Sequence, residues 1–430
     1  MSAHRPIGFW GATALVVGSM IGSGVFLLPA TLAPWGAASL WGWGVTLVGA
    51  LLLAIVYAWL ARSASDSGGS YLYARRAFGD EVGFFVAWSM WICMWVGNAA
   101  LAVAFAGSLS ALLPVVAASP INGAIAALLA LWLATLTNAL GVREATGMQM
   151  LTTVLKVVPL LLFGVLALGA LDADSFQPFN PSGETPLAVM SAVAAITLWA
   201  FLGFEAATIP AGSVKDAPRV VPRATVLGML IAGIATMLAC TVVIGLLPSE
   251  RLGASAAPMA EAAALVWGPT AGTAMAWVAT ISCYGALNGW VMLQAQLPMA
   301  AARDGLFPPV FAHADGKGTP RLGLALSSAL ATALVFANFD QRLVELFTFA
   351  ILLSTAAALL PYAVSVLAWL RGARGEAAWR KLVAVLALVY AAWALVGTGR
   401  EALLWGGALL LAGAPVLWWL KRAKAASPRV

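Results

Sequence analysis

Val16-Val17-Gly18-Ser19-Met20-Ile21-Gly22-Ser23-Gly24-Val25-Phe26 lies in the first long apolar run of this chain, where a membrane-crossing helix is expected. Three of its residues are glycines, each costing about 0.5–1 kcal/mol relative to alanine inside a helix. In hydrocarbon the interruption is dearer, because freed N–H and C=O groups find no water there. Such a break persists only where protein buries it or where it borders a wet cavity. The stretch therefore predicts a discontinuous helix whose open backbone forms a binding site near the membrane midplane.

Composition supports a membrane protein. The 430 residues are 62% hydrophobic and 9% charged, with a mean hydropathy of +0.94. Soluble domains carry about 25% charged residues. Apolar runs of spanning length recur from end to end. Twelve spans are expected, at 7–33, 38–61, 83–110, 121–141, 147–170, 185–212, 224–247, 270–297, 321–338, 345–369, 380–397 and 401–420. Together they form a single transmembrane domain over residues 1–430, and the start MSAHRPIGFW leads into a full span with no cleavage site. Residues 248–267 are too polar to span and predict a short helix over the mouth. Residues 61–80 predict a polar turn and an amphipathic stretch at the interface.

Charge sets the expected orientation. Arg62, Arg75, Arg76, Arg219, Arg223, Arg303, Arg371, Arg380 and Lys421 fall in loops on the side of the N-terminus, whereas the opposite loops hold only Arg251, Arg342 and Arg400. The positive-inside rule puts both termini in the cytoplasm, as an even span count requires. These basic loops read as faces near anionic lipid rather than as a nucleic-acid surface.

The sixth span repeats the opening signal. Ile196-Thr197-Leu198-Trp199-Ala200-Phe201-Leu202-Gly203-Phe204-Glu205 again has a glycine at mid-span and adds a carboxylate. Spans one and six hold matching places in two halves of five spans, 7–170 and 185–369, with 380–420 as two additional helices. Five is odd, so the halves run in opposite senses. Interrupted segments at matching places in inverted halves point to a transporter site, although two unrelated glycine-rich packing faces would leave a similar pattern.

Two charges fall well inside the spans, Lys156 and Glu205. An ionisable group at the bilayer centre costs at least about 2.5 kcal/mol and ordinarily faces a cavity or a partner. Glu205 reads as a proton carrier or gate latch, or as one member of a structural pair. Lys156 reads as a brace donating to carbonyls of the broken first helix, in the place of a sodium ion. The backbone at Ser23, Gly24 and Val25 offers N–H groups to a carboxylate. Carbonyls around Met20, Trp199 and Leu202 suit an ammonium. Trp290 offers an indole face and Asn98 an amide.

The functions excluded are as informative. The chain has no HExxH, CxxC or phosphate-binding loop, and no serine nucleophile with a histidine partner. Its histidines, His4 and His313, lie outside the spans, and Cys93, Cys240 and Cys283 lie within them. No metal, no cofactor and no enzymatic activity are expected. No domain large enough to hydrolyse ATP is present, so transport would be secondary. A channel and a receptor are the alternatives of another class.

GSMIGSGVFLLPA (18–30), GGSYLYARRAFG (68–79), WVGNAA (95–100), LWAFLGFEAATIPAG (198–212), KDAPRVVPRAT (215–225), NGWVMLQAQ (288–296) and AARDGLFPP (301–309) together resemble the amino acid–polyamine–organocation (APC) superfamily. Within it they look most like the basic amino acid/polyamine antiporters, of the arginine/agmatine type. The resemblance covers about residues 7–420. It implies an all-α polytopic membrane protein with a LeuT-like five-plus-five inverted repeat, discontinuous helices 1 and 6, and a homodimer built on the last two helices. It implies sodium-independent exchange of a basic amino acid for its decarboxylated amine in the bacterial inner membrane, with transport of neutral amino acids as the alternative.

By the same resemblance, Ser23 and Gly24 match positions that hold the substrate carboxylate, and Met20, Trp199 and Leu202 match positions that hold its amino group. Trp199 matches a middle gate, and Trp290 packs on the substrate's aliphatic part. Cys93, Met94, Asn98 and Ser354 surround its far end. Glu205 and Tyr362 match gate residues, and Tyr71 a tyrosine linked to pH sensing. The chain departs from the pattern at four places. Ser19 replaces an asparagine, Cys93 and Met94 replace an alanine and a cysteine, Met90 replaces a gate tyrosine, and Lys156 resembles the lysine of branches that carry neutral amino acids.

Overall fold

Helices account for nearly all of the computed structural model, which describes residues 7–63, 69–140, 145–172, 174–208, 214–316, 318–338 and 340–426. The α-helices in chain order are α1 (Phe9–Met20), α2 (Ser23–Leu32), α3 (Ser39–Ser63), α4 (Ser70–Phe78), α5 (Asp80–Ser110), α6 (Pro114–Ala117), α7 (Pro120–Leu140), α8 (Ala145–Leu166) and α9 (Pro186–Leu198). They continue as α10 (Ala217–Leu246), α11 (Ser249–Ala254), α12 (Pro258–Trp267), α13 (Pro269–Arg303), α14 (Arg321–Ala337), α15 (Leu343–Gly372), α16 (Ala378–Gly397), α17 (Gly399–Leu411) and α18 (Gly413–Ala426). Among the described residues the β structure is one isolated bridge, Ile7 with Val214.

Nine helical segments among the described residues are long and apolar enough to cross a membrane. Of the other expected spans, the first is divided: α1 and α2 have 12 and 10 residues. The 35-residue α13 and the 17-residue α14 stand at the eighth and ninth expected spans. The segment expected to lie over the mouth is two short helices, α11 and α12, and the amphipathic stretch is α4.

The centre of the bundle is α5, with 89% of its apolar window buried. It packs on α15, α13, α4 and α7. A helix this deep has no polar face, and α5 is apolar around almost its whole circumference. By contrast α7 and α16 expose one side, with Leu129, Leu133 and Leu136 on the first and Leu382, Leu386 and Val389 on the second. Apolar side chains facing outward along a whole helix suit lipid. Around α5 the two interrupted segments are held by long neighbours, with α1 on α10 and α8, and α2 on α5. Close approach is allowed by Gly228 of α10, where an added Cβ would stand 2.7 Å from that of Val16.

Candidate functional site

The first helix breaks at the glycine-rich stretch. Ile21 donates its N–H to Val17 O at 2.9 Å, completing the last turn of α1. Ile21 then turns extended, with φ −80° and ψ 92°, and Gly22 takes φ −130° and ψ −131° before α2 starts at Ser23. The first N–H groups of any helix lack intrahelical partners, so the backbone at Ser23, Gly24 and Val25 points donors into the gap. The side chains at positions 23 and 24 lie outside the described residues, as do His4, Gly68 and residues 209–212 of the motifs.

The second break follows the same logic. α9 ends at Leu198, a 3-10 turn covers Trp199–Phe201, and Leu202 is extended. Gly203 has φ +99°, in the left-handed region where glycine alone is unstrained. A second 3-10 turn, Phe204–Thr208, carries Glu205. A Cβ on Gly203 would stand 3.0 Å from the Ser19 Cβ, so the two breaks pack directly on one another.

Ser19, Met20, Gly22, Leu101, Trp199, Leu202 and Trp290 line a cavity of about 10 Å3 at this junction. That is room for about one water molecule. The rings of Trp199 and Trp290 lie 6.4 Å apart and 32° from parallel. Trp290 donates its indole N–H to Ser19 O at 3.3 Å, so one carbonyl freed by the first break is already engaged. Leu202 N donates to Trp199 O at 3.2 Å.

The expected residues Cys93, Met94, Asn98 and Ser354 are not among those lining this cavity. Ser354 donates to Cys93 O at 2.7 Å, and its oxygen lies 3.3 Å from the Cys93 thiol. A Cβ on Gly97 would meet the Trp199 ring at 3.0 Å and Ser354 Oγ at 3.3 Å, so α5, α15 and the second break converge there. Met94 is buried. Asn98, fully buried, donates to Gln294 Oε1 at 2.7 Å.

Two hydrogen-bonded clusters meet at the start of α4, through the adjacent residues Ser70 and Tyr71. In one, Tyr362 donates to Glu205 Oε2 at 3.0 Å, and Phe204, Tyr57 and Tyr362 pack as an aromatic triad with centroids 5.0 to 5.6 Å apart. The Tyr57 hydroxyl lies 2.8 Å from Ser70 Oγ and 3.1 Å from Ser365 Oγ. In the other, Tyr71 donates to Asp304 Oδ2 at 2.8 Å, tying α4 to the end of α13. Burial, then the Asp304 carboxylate, holds the Tyr71 phenol well above its ordinary pKa. It is therefore a neutral donor across the physiological range.

Lys156 on α8 is 1% exposed, and its Nζ has no hydrogen-bond partner among the described residues. The expected hydrogen bonds from it to carbonyls of the first break are absent among the described residues. Among the described residues no cluster of three or more His, Cys, Asp or Glu side chains could hold a metal.

Sequence reasoning missed Leu101, Gln294, Tyr57 and Ser365. Leu101 is one leucine among many. Gln294 carried a signal, because it lies four residues beyond Trp290 in an apolar span and so shares its face.

The comparisons with known proteins agree with this architecture. The amino acid permease family profile matches residues 7–410. A cadaverine/lysine antiporter of Escherichia coli (strain K12) is 34% identical over 78% of this chain and 75% of its own. A putative arginine/ornithine antiporter of Bacillus subtilis (strain 168) is 31% identical over 92% of both chains. A putrescine transporter of Haemophilus influenzae is 30% identical over 96% of this chain and 97% of its own. With the family matched over nearly its whole length, this polytopic membrane protein belongs to the amino acid permease family of the APC superfamily, in its basic amino acid/polyamine antiporter branch.

Proposed function

We propose that this protein is a sodium-independent antiporter that exchanges a basic amino acid, arginine or lysine, for its decarboxylated amine by alternating access. The observation that carries this reading is the contact of the two helix breaks at Ser19 and Gly203, around a cavity walled by Trp199 and Trp290. Helix N-terminal N–H groups at Ser23 and Gly24 suit the α-carboxylate. Carbonyls at Met20, Trp199 and Leu202 suit the α-ammonium, and the indole of Trp290 suits a cationic chain. The names of the relatives, which specify lysine, cadaverine, ornithine, arginine and putrescine, favour this substrate class.

In this reading the scaffold has twelve helices in two inverted five-helix repeats, with both termini cytoplasmic and the protein in a bacterial inner membrane. Hydrogen bonds and aromatic packing around Tyr362–Glu205 and Tyr71–Asp304, joined through the adjacent Ser70 and Tyr71 of α4, form a gate on one side of the site. Tyr362–Glu205 guards the path beside the second break, and Tyr71–Asp304 ties the N-terminal side shut. Lys156 supplies the fixed positive charge that a sodium ion would otherwise bring beside the first break. Exposed Leu404, Trp405, Trp418 and Trp419 on α17 and α18 suit a homodimer built on those helices.

A second reading, exchange of neutral amino acids, is favoured by one observation: none of the residues lining the cavity carries a carboxylate. Counterflow in proteoliposomes decides between them. Uptake of labelled arginine or lysine driven by internal agmatine or cadaverine is expected. Uptake of alanine or leucine with none of the basic substrates would replace the first reading by the second.

A further inference from the structure

A buried amide pair lies one helical turn from the cavity. Asn98 lies one helical turn before Leu101 on α5, and Gln294 lies one turn after Trp290 on α13. Leu101 and Trp290 share the cavity, and Asn98 and Gln294 are bonded to each other. The amide pair is therefore the next layer below the indole of Trp290. Both residues are fully buried.

We infer that Thr135, Ser328 and Gln294 form a one-way hydrogen-bond relay that fixes the amide of Asn98 with its carbonyl oxygen free, so that the site selects substrates whose far end carries a hydrogen-bond donor. The relay starts on backbone. Thr135 Oγ1 donates to Leu131 O at 2.8 Å, and a carbonyl only accepts. With that proton committed, the 2.7 Å contact between Thr135 and Ser328 has Ser328 as donor. Ser328 Oγ is then an acceptor for Gln294 Nε2 at 3.1 Å. This orients the other half of the Gln294 amide, Oε1, toward Asn98, which donates from Nδ2 at 2.7 Å. What remains of Asn98 is Oδ1, buried and without a partner among the described residues.

The reverse orientation is poorer by one bond. Turning the Gln294 amide would make Ser328 its donor, and Thr135 would then have to choose between Leu131 O and Ser328. A buried network that loses a bond is penalised more than the same network at a surface. Four helices, α7, α14, α13 and α5, thus agree on a single direction. Trp91 Nε1 donates to Ser327 Oγ at 2.8 Å beside this chain and pins α14 against α5.

An unpartnered buried carbonyl oxygen is costly until a donor meets it. An ammonium or guanidinium at the end of a substrate side chain supplies that donor, whereas a methyl end leaves the oxygen unpaired. The relay therefore discriminates by chemistry at the far end of the ligand, leaving the head group to the two helix breaks. This inference rests on the proposed seating of an amino acid in the cavity. It adds that residues two helices removed from the ligand decide its class.

Calorimetry on the purified full-length protein with lysine and with norleucine, which has a methyl in place of the ammonium-bearing carbon, tests it. Wild type is expected to prefer lysine. Gln294→Leu and Ser328→Ala are each expected to lower the lysine-to-norleucine ratio at least about tenfold, the scale of a hydrogen bond to a charged group, with norleucine binding unchanged. Gln294→Glu, which still accepts from Asn98, is expected to retain the preference. Should Gln294→Leu fail to fold, Ser328→Ala carries the test. Equal weakening of both ligands in these variants, or an unchanged ratio, would overturn the relay. A wild type that prefers lysine and shows the relay effects, yet exchanges no amine in counterflow, would overturn the antiport reading alone.

Discussion

Gly203 rests against Ser19 so closely that an added Cβ would lie 3.0 Å from the Ser19 Cβ and 3.2 Å from its carbonyl carbon and oxygen. The two helix interruptions, nearly two hundred residues apart in the chain, are thereby one structural unit. Its geometry needs a residue without a side chain, both for space and for φ +99°.

Gly203→Ala should therefore cost about 1–3 kcal/mol from backbone strain alone, and it should also force the breaks apart. The expected result is a lower melting temperature together with loss of exchange in proteoliposomes. A variant with wild-type melting and transport would show that the contact is not needed.

Trp290 offers its face to the cavity and its N–H to Ser19 O. Trp290→Ala is expected to weaken binding of a cationic substrate by about 2 kcal/mol, the size of a desolvated cation–π contact. Trp290→Phe, which keeps a ring but loses the hydrogen bond, should recover part of that. Binding isotherms read both, and unchanged affinity in Trp290→Ala would remove Trp290 from the site.

Glu205→Gln separates charge from geometry, because a glutamine oxygen still accepts from the Tyr362 hydroxyl placed 3.0 Å away. If the carboxylate takes up or releases a proton during the cycle, the pH dependence of exchange should flatten in this variant while binding at one pH persists. Tyr362→Phe should keep the pH dependence and lose rate. An unaltered pH profile in Glu205→Gln would leave Glu205 a structural partner only.

Lys156 poses a trade-off between stability and function. A buried ammonium with no hydrogen bond among the described residues carries a desolvation cost of several kcal/mol. Lys156→Met fills nearly the same volume without that charge, so it is expected to raise the melting temperature by about 1 °C per kcal/mol recovered in a chain of this length. If the charge serves the cycle, exchange should fall in the same variant. A rise in stability with full transport would make Lys156 a dispensable charge.

Much of this site could be read along the chain because membrane solvation punishes local exceptions. Three glycines between Gly18 and Gly24, the mid-span Gly203, and two charges within apolar spans are all visible as violations of what hydrocarbon permits. The placement of both breaks follows from them, and the structure has α1 ending at Met20 and α9 ending at Leu198. Trp290 and Asn98 stood out as aromatic and amide groups at mid-span, and both lie at or beside the cavity.

What escaped the sequence is a matter of partners. Gln294, Ser328 and Thr135 are ordinary residues until four helices bring them into one file, since hydrogen-bond direction depends on who faces whom. Tyr57 and Ser365 are likewise unremarked until α3 and α15 meet, 308 positions apart in the chain. For Lys156 the chain suggested bonds to the first break, and packing leaves its Nζ without a hydrogen bond among the described residues.

The sequence by itself determined that this chain lives in a membrane, where its helices break, and which backbone groups those breaks expose, because each follows from local solvation and local backbone freedom. Tertiary structure alone decided that the two breaks touch at Ser19 and Gly203, that Trp199 and Trp290 close over the space between them, and that Asn98 presents an oxygen rather than a nitrogen. Those are properties of contacts between distant segments, and no segment carries them until the helices pack.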